Sequence, residues 1–97
     1  MKTFLCSHLV RVRWNARETV ANLERISRDL ATVNAEEPMP VGAAVVISAE
    51  DCHLAGIVAR CGLEVSGHEI DVALESEWSP EVFLPHHLFD PDVMITP

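Results

Sequence analysis

His8-Leu9-Val10-Arg11-Val12-Arg13-Trp14 sets the fold class. Val10, Val12 and Trp14 fall on one face of an extended chain, and Arg11 and Arg13 fall on the other. That is the period-two pattern of a strand with one buried face. After it, Asn15-Ala16-Arg17 supplies a hairpin connection, and Thr19–Ser27 reads as a second strand of mixed pattern. Leu23 and Ile26 cannot share a face in a regular strand, so a β-bulge is expected between them. Leu30–Ala35 is a third strand with Ala31, Val33 and Ala35 on one side. Glu36–Gly42 contains Pro38 and Pro40, which lack the ladder donor, and reads as a loop. Ala43–Ala49 is apolar on both faces, as in a central strand, and Glu50-Asp51 turns the chain into His53–Cys61. Gly56 inside that strand marks a bend or a close backbone approach. Gly62–Gly67 forms another turn with Ser66-Gly67 at its tip. His68–Ser76 then alternates again, with Ile70, Val72 and Leu74 inward and Glu69, Asp71 and Glu75 outward.

About six strands joined by hairpins leave two raw edges in an open sheet, and closure removes them. The expected fold is therefore all-β, a small six-stranded antiparallel β-barrel over residues 8–78. At its end, Ser79-Pro80-Glu81 reads as the cap and first turn of a short C-terminal helix, stopped at Pro85. The helix and tail cover residues 79–97, so the 97 residues form a single domain. Trp78, Val82, Phe83, Leu84, Leu88 and Phe89 are the bulkiest cluster in the chain. They read as a plug over one end or flank of the sheet. The functional alternative is a partner surface on Trp78, Phe83 and Phe89, with a homodimer as one form of it.

Composition bounds the function. Apolar residues make up 48% of the chain, in the globular range. Net charge is −8 and is unevenly spread: residues 1–30 hold six of the seven Lys and Arg against three acids, and residues 31–97 hold one against twelve. An acidic chain repels a nucleic-acid backbone, so no nucleic-acid polymer is expected as partner. No stretch reaches the ~18 apolar residues of a membrane span, and Met1–Cys6 is too short for a signal h-region. A cytoplasmic location and no membrane partner are expected. Cys6, Cys52 and Cys61 form no C-x-x-C and read as free thiols.

Chemistry-bearing motifs are sparse. No G-x-S-x-G elbow frames a nucleophile, and the four glycines form no phosphate cradle. Among Cys52-His53, Cys61, His68 and His86-His87, only Cys61 and His68 flank one hairpin, and two ligands fall short of the four of a structural zinc. No catalytic residue, metal or cofactor is expected, and the chain reads as a binding or regulatory domain, not an enzyme.

Several segments together resemble the PilZ family of bacterial six-stranded barrels, many of which bind cyclic di-GMP. Leu23–Val33 is similar to the family's junction of second and third strands, where D/N-x-S-x-x-G precedes an apolar strand. Pro40-Val41-Gly42, Leu54-Ala55-Gly56-Ile57-Val58-Ala59-Arg60-Cys61 and Ile70-Asp71-Val72-Ala73-Leu74 resemble later family segments. Ser27 keeps the motif serine, Arg25 stands where Asp or Asn belongs, and Leu30 stands where Gly belongs. Arg13-Trp14-Asn15-Ala16-Arg17 spells the family's R-x-x-x-R, but later in the chain than the family places it. The resemblance implies a PilZ-like regulatory or protein-interaction domain with a degenerate nucleotide motif. The alternative it leaves is a cyclic di-GMP receptor using a rearranged arginine set, with Ser27, Arg25, Arg28, Arg11 and Arg13 as ligand-binding candidates.

Overall fold

A computed structural model describes residues 2–91. Residues 92–97, the end of the expected tail, lie outside the described residues, as does Met1. Six strands run in chain order: β1 (Thr3–Trp14), β2 (Arg17–Ser27), β3 (Leu30–Ala35), β4 (Ala44–Ala49), β5 (Cys52–Glu64) and β6 (Gly67–Leu74). They close into a barrel in the order β1-β2-β3-β6-β5-β4, with every neighbouring pair antiparallel.

The alternation in the sequence becomes the inside and outside of this barrel. Val10, Val12, Ala21, Leu23, Ala31, Val33, Val45, Ile47, Leu54, Val58, Ile70 and Val72 point inward and are buried. The expected bulge is present: Leu23 pairs with Val33 and Arg25 with Thr32, leaving Glu24 as the extra residue on β2. This parity change lets both Leu23 and Ile26 face the core, at 1% and 0% exposure. A bulge that the sequence did not announce occurs at Ala59, between the Val58–Val72 and Arg60–Asp71 pairs.

The turns follow from tight strand spacing. Asn15 and Ala16 join β1 to β2, both at positive φ (48° and 62°), the backbone that matches the twist of a two-residue hairpin. Gly56 sits where β5 presses on β6: a Cβ there would lie 2.5 Å from the Ala73 carbonyl oxygen and 2.6 Å from Val72 Cγ1. Close backbone approach is the reason for this glycine.

Three sequence expectations change. β5 runs from Cys52 to Glu64, not from His53 to Cys61, and the expected Gly62–Gly67 turn narrows to Val65-Ser66. β1 begins at Thr3, not His8, because Phe4 and Cys6 continue the inward row through a register irregularity between Leu5 and His8. The short C-terminal helix is absent. Val82 and Phe83 both donate backbone hydrogen bonds to the Ser79 carbonyl, at 2.9 and 3.3 Å, and the turn goes no further. Pro85 has no N–H to extend it and disfavours a helical Leu84.

The chain after β6 instead caps one end of the barrel. The Trp78 N–H bonds the Arg28 carbonyl at 2.7 Å, and the indole Nε1 donates to the Phe83 carbonyl at 2.9 Å. The tail then runs beside β1, where Leu5 and Phe89 exchange two backbone bonds of 2.8 and 2.6 Å and Ser7 donates to His86. This stretch occupies the edge of β1 that β4 leaves uncovered, since β4 meets β1 only at Arg11–Arg13.

Candidate functional site

With the interior filled by aliphatic side chains, binding chemistry is confined to the outer surface. One row there combines several recognition groups. Val20 on β2 stands opposite Arg11 on β1, Arg11 opposite Ser48 on β4, and Ser48 opposite His53 on β5. Each is the outward residue at its position, so the four side chains line up across four strands. The next row brings Glu18 and Arg13. Arg11, Arg13, Glu18, Ser48, Glu50 and His53 line a shallow groove of about 390 Å³.

Both guanidiniums share one carboxylate. Arg11 Nε lies 3.6 Å from Glu18 Oε1, and Arg13 lies 3.8 Å from Glu18 Oε2. Those are Coulomb distances, longer than hydrogen bonds, so the forks keep donors to offer a ligand. Ser48 Oγ and His53 Nδ1 share a 2.7 Å hydrogen bond. Among the described residues no carboxylate is hydrogen-bonded to that imidazole. The pair is a fixed polar contact on the groove wall, and among the described residues no third group orients the imidazole as in an activated nucleophile. Leu9 and Val20, 71% and 59% exposed, add an apolar margin.

The arginines expected to act together are divided. Arg11 and Arg13 share this groove. Arg25 lies on β2 opposite Leu5 of β1, six residues from Arg11 along that strand, or ~20 Å. It is ion-paired with Glu69, which also approaches Arg60 at 3.4 Å. Arg60 in turn donates to Asp71 at 2.9 Å, and Thr32 Oγ1 donates to the same carboxylate at 2.7 Å. Burial pushes the Asp71 carboxyl up, but hydrogen bonds from Arg60 and Thr32 outweigh it, so the group titrates below the usual range. Arg25 thus belongs to a ladder of alternating charges across β2, β6 and β5. Arg28 lies 3.9 Å from Glu77. Ser27 is 4% exposed and its hydroxyl donates to the Leu30 carbonyl at 3.3 Å. Leu30 opens β3 without positive φ, so the turn is built differently from one that needs glycine. Within Arg13-Trp14-Asn15-Ala16-Arg17 the two arginines turn to different acids, Arg13 to Glu18 and Arg17 to Glu37.

The aromatic candidates divide too. Trp78 and Phe83 are 3% and 8% exposed and belong to the core, while Phe89 is 51% exposed. Trp78 packs edge-on against Phe4, and Phe83 edge-on against His8. His8 is buried, and its Nδ1 accepts the His86 backbone N–H at 2.9 Å. Burial, then the nearby His86, lowers its pKa below the ordinary histidine value, with Glu50 opposing. Burial raises the Cys6 thiol to about 11, with Glu24 adding to the rise.

Among the described residues no three His, Cys, Asp or Glu side chains group closely enough to hold a metal ion, and no helix is long and apolar enough to cross a membrane. Ser48 and His53 did not stand out in the sequence as a binding pair. Ser48 sits in a strand apolar on both faces, and the β4–β5 hairpin register is what sets it against His53. No family model matches the chain, and no curated protein or solved structure matches it.

Proposed function

We propose that this chain is a PilZ-like regulatory domain of bacterial second-messenger signalling type, that it acts through protein contact, and that its contact face is the outer strip of β1, β4 and β5. The closed six-stranded barrel supports the family reading. The employment of Arg25 on Glu69 and of Ser27 on the Leu30 carbonyl supports a degenerate nucleotide motif. The observation that carries the proposal is the Val20–Arg11–Ser48–His53 row, where two under-committed guanidiniums stand beside exposed Leu9 and Val20. Arginine flanked by apolar side chains is a common composition for protein interfaces. The complementary partner is an acidic segment with apolar residues of its own. Affinity capture from the source cell tests this. The wild-type barrel should retain a protein that R11E/R13E loses. Retention of the same proteins by both would contradict the assignment.

A second reading has its own observation: two guanidinium forks with open donors on one face also suit a small bis-phosphate such as cyclic di-GMP. It predicts saturable heat on titration, abolished in R11A/R13A.

A further inference from the structure

β5 is longer than the barrel needs. β4 covers its outer edge only from Cys52 to Ile57, and the backbone of Gly42 and Ala43 covers Val58. Beyond that point β5 continues to Glu64 paired to β6 alone. Among the described residues no strand or loop backbone pairs with the outer edge of Ala59–Glu64. An uncovered strand edge carries a row of unpaired N–H and C=O groups and is a template for another strand. Native edges are often blunted by lysine, proline or a covering loop, and this one has none of them, only the bulge at Ala59. The most exposed large apolar side chains among the described residues stand at its end: Leu63 at 77% and Val65 at 109%.

We infer that this edge pairs antiparallel with the same edge of a second copy of the chain, about a two-fold axis at Gly62. The sequence Ala59-Arg60-Cys61-Gly62-Leu63-Glu64-Val65 is self-complementary in that register. Directly opposed residues are then Arg60 with Glu64 of the second copy, Cys61 with Leu63, Ala59 with Val65, and each of these twice. Opposite charges placed directly across a strand pair are favourable and like charges unfavourable. An axis at Cys61 sets Arg60 against Gly62, and an axis at Leu63 sets it against Ser66. Of these three neighbouring registers only the one about Gly62 opposes unlike charges. Arg60 has the capacity: its side chain is 51% exposed while bonded to Asp71, and a guanidinium carries five donors. Alternation puts Arg60, Gly62 and Glu64 on one face of the joined ribbon. Cys61 and Leu63 from both copies then meet on the other, which covers the exposed leucine. Gly62 itself brings no side chain to the axis, and the Arg60 guanidinium of its own chain lies over it, 3.0 Å from where a Cβ would stand. The joint lies nine residues along β5 from His53, or ~30 Å, so dimerisation leaves the Arg11–His53 face open.

Sedimentation equilibrium over ~1–100 μM, the range in which an interface of −6 to −8 kcal/mol is read, tests the inference. The wild-type chain should dimerise. E64R sets a new guanidinium against Arg60 of the second copy, at an exposed position. It should weaken association at least ~10-fold, equal to ~1.4 kcal/mol. E64Q, which removes the charge without adding a like one, should weaken association less than E64R. In L63C, diamide oxidation should join Cys61 of one chain to the introduced thiol of the other, a cross-link identified by peptide mass spectrometry. A wild-type monomer throughout the range, a dimer indifferent to E64R, or a dominant cross-link between the two introduced thiols would overturn the proposal.

Discussion

The two ends of the barrel are built on different principles. One end is sealed by the chain's own tail. Trp78 and Phe83 enter the core against Phe4 and His8, and the tail backbone hydrogen-bonds the edge of β1. The other end is closed mainly by Met39, 2% exposed, from the proline-containing loop between β3 and β4. There the β1–β2 and β5–β6 hairpins run on, Trp14 stays half-buried under the Arg17 guanidinium, and Leu63 and Val65 face solvent. At the sealed end Trp78 and Phe83 are committed to the fold, while Val82, Leu84 and Phe89 stay exposed. Large side chains at the open end remain available for contact. The aromatic residues that look most like a binding patch in the sequence are therefore mostly part of the core.

The largest expected effect follows from that contrast. Trp78→Ala removes a buried indole and its hydrogen bond to Phe83, and should cost ~3–5 kcal/mol in denaturant unfolding. Trp14→Ala at the open end should cost well under half as much. Equal losses would erase the distinction between the ends.

Gly56→Ala comes next. Its methyl would meet the Ala73 carbonyl 2.5 Å away, and overpacking of this kind costs ~1–3 kcal/mol. A neutral change would mean that β5 and β6 can separate below the sealed end.

His8 probes the sealed end through pH. Its folded pKa is lowered, by burial first and by His86 second, against Glu50. The unfolded chain therefore binds the proton more readily, and stability from neutral His8 is present above the ordinary value of ~6.5. It is lost as pH falls through the window below that value. Protonation at Nδ1 also removes the acceptor for His86. Unfolding free energy should decline from pH 7 towards 5, and His8→Leu should flatten the decline while losing ~1–2 kcal/mol at pH 7 for the unmet His86 N–H. An unchanged slope in that variant would assign the acid sensitivity elsewhere.

The smallest effect belongs to the open end. Ala16 holds φ at 62°, a conformation that costs a residue with a Cβ about 1 kcal/mol. Ala16→Gly should raise stability by ~0.5 kcal/mol after the added freedom of the unfolded chain is subtracted. A loss of stability would show that Ala16 makes contacts that outweigh its backbone strain.

Much of the barrel was legible because period-two alternation is a local signal. Val10-Arg11-Val12-Arg13, Ala31–Ala35 and Ile70-Asp71-Val72 give inside and outside directly, and the Leu23–Ile26 parity break announces its bulge. The start of β1 was obscured because Cys6 and His8 fill inward positions without looking like core residues. The cap and first-turn signals at Ser79-Pro80-Glu81 point to a helix, but one turn of hydrogen bonding is all that Pro85 permits. The candidate face was half legible. Arg11 and Arg13 are two apart on one strand, whereas their union with Ser48 and His53 depends on the β1–β4 and β4–β5 registers, which are long-range. The separation of Arg25 from Arg11 has the same origin: nearness in sequence does not measure position along a barrel.

Calorimetric titration with cyclic di-GMP at low and moderate salt is the decisive test of whether this barrel works through protein contact despite its arginines. No saturable heat is expected up to ~100 μM ligand, a limit weaker than about −5.5 kcal/mol. Micromolar binding that weakens with salt and disappears in R11A/R13A would contradict that expectation and make the β1–β4–β5 face a nucleotide site.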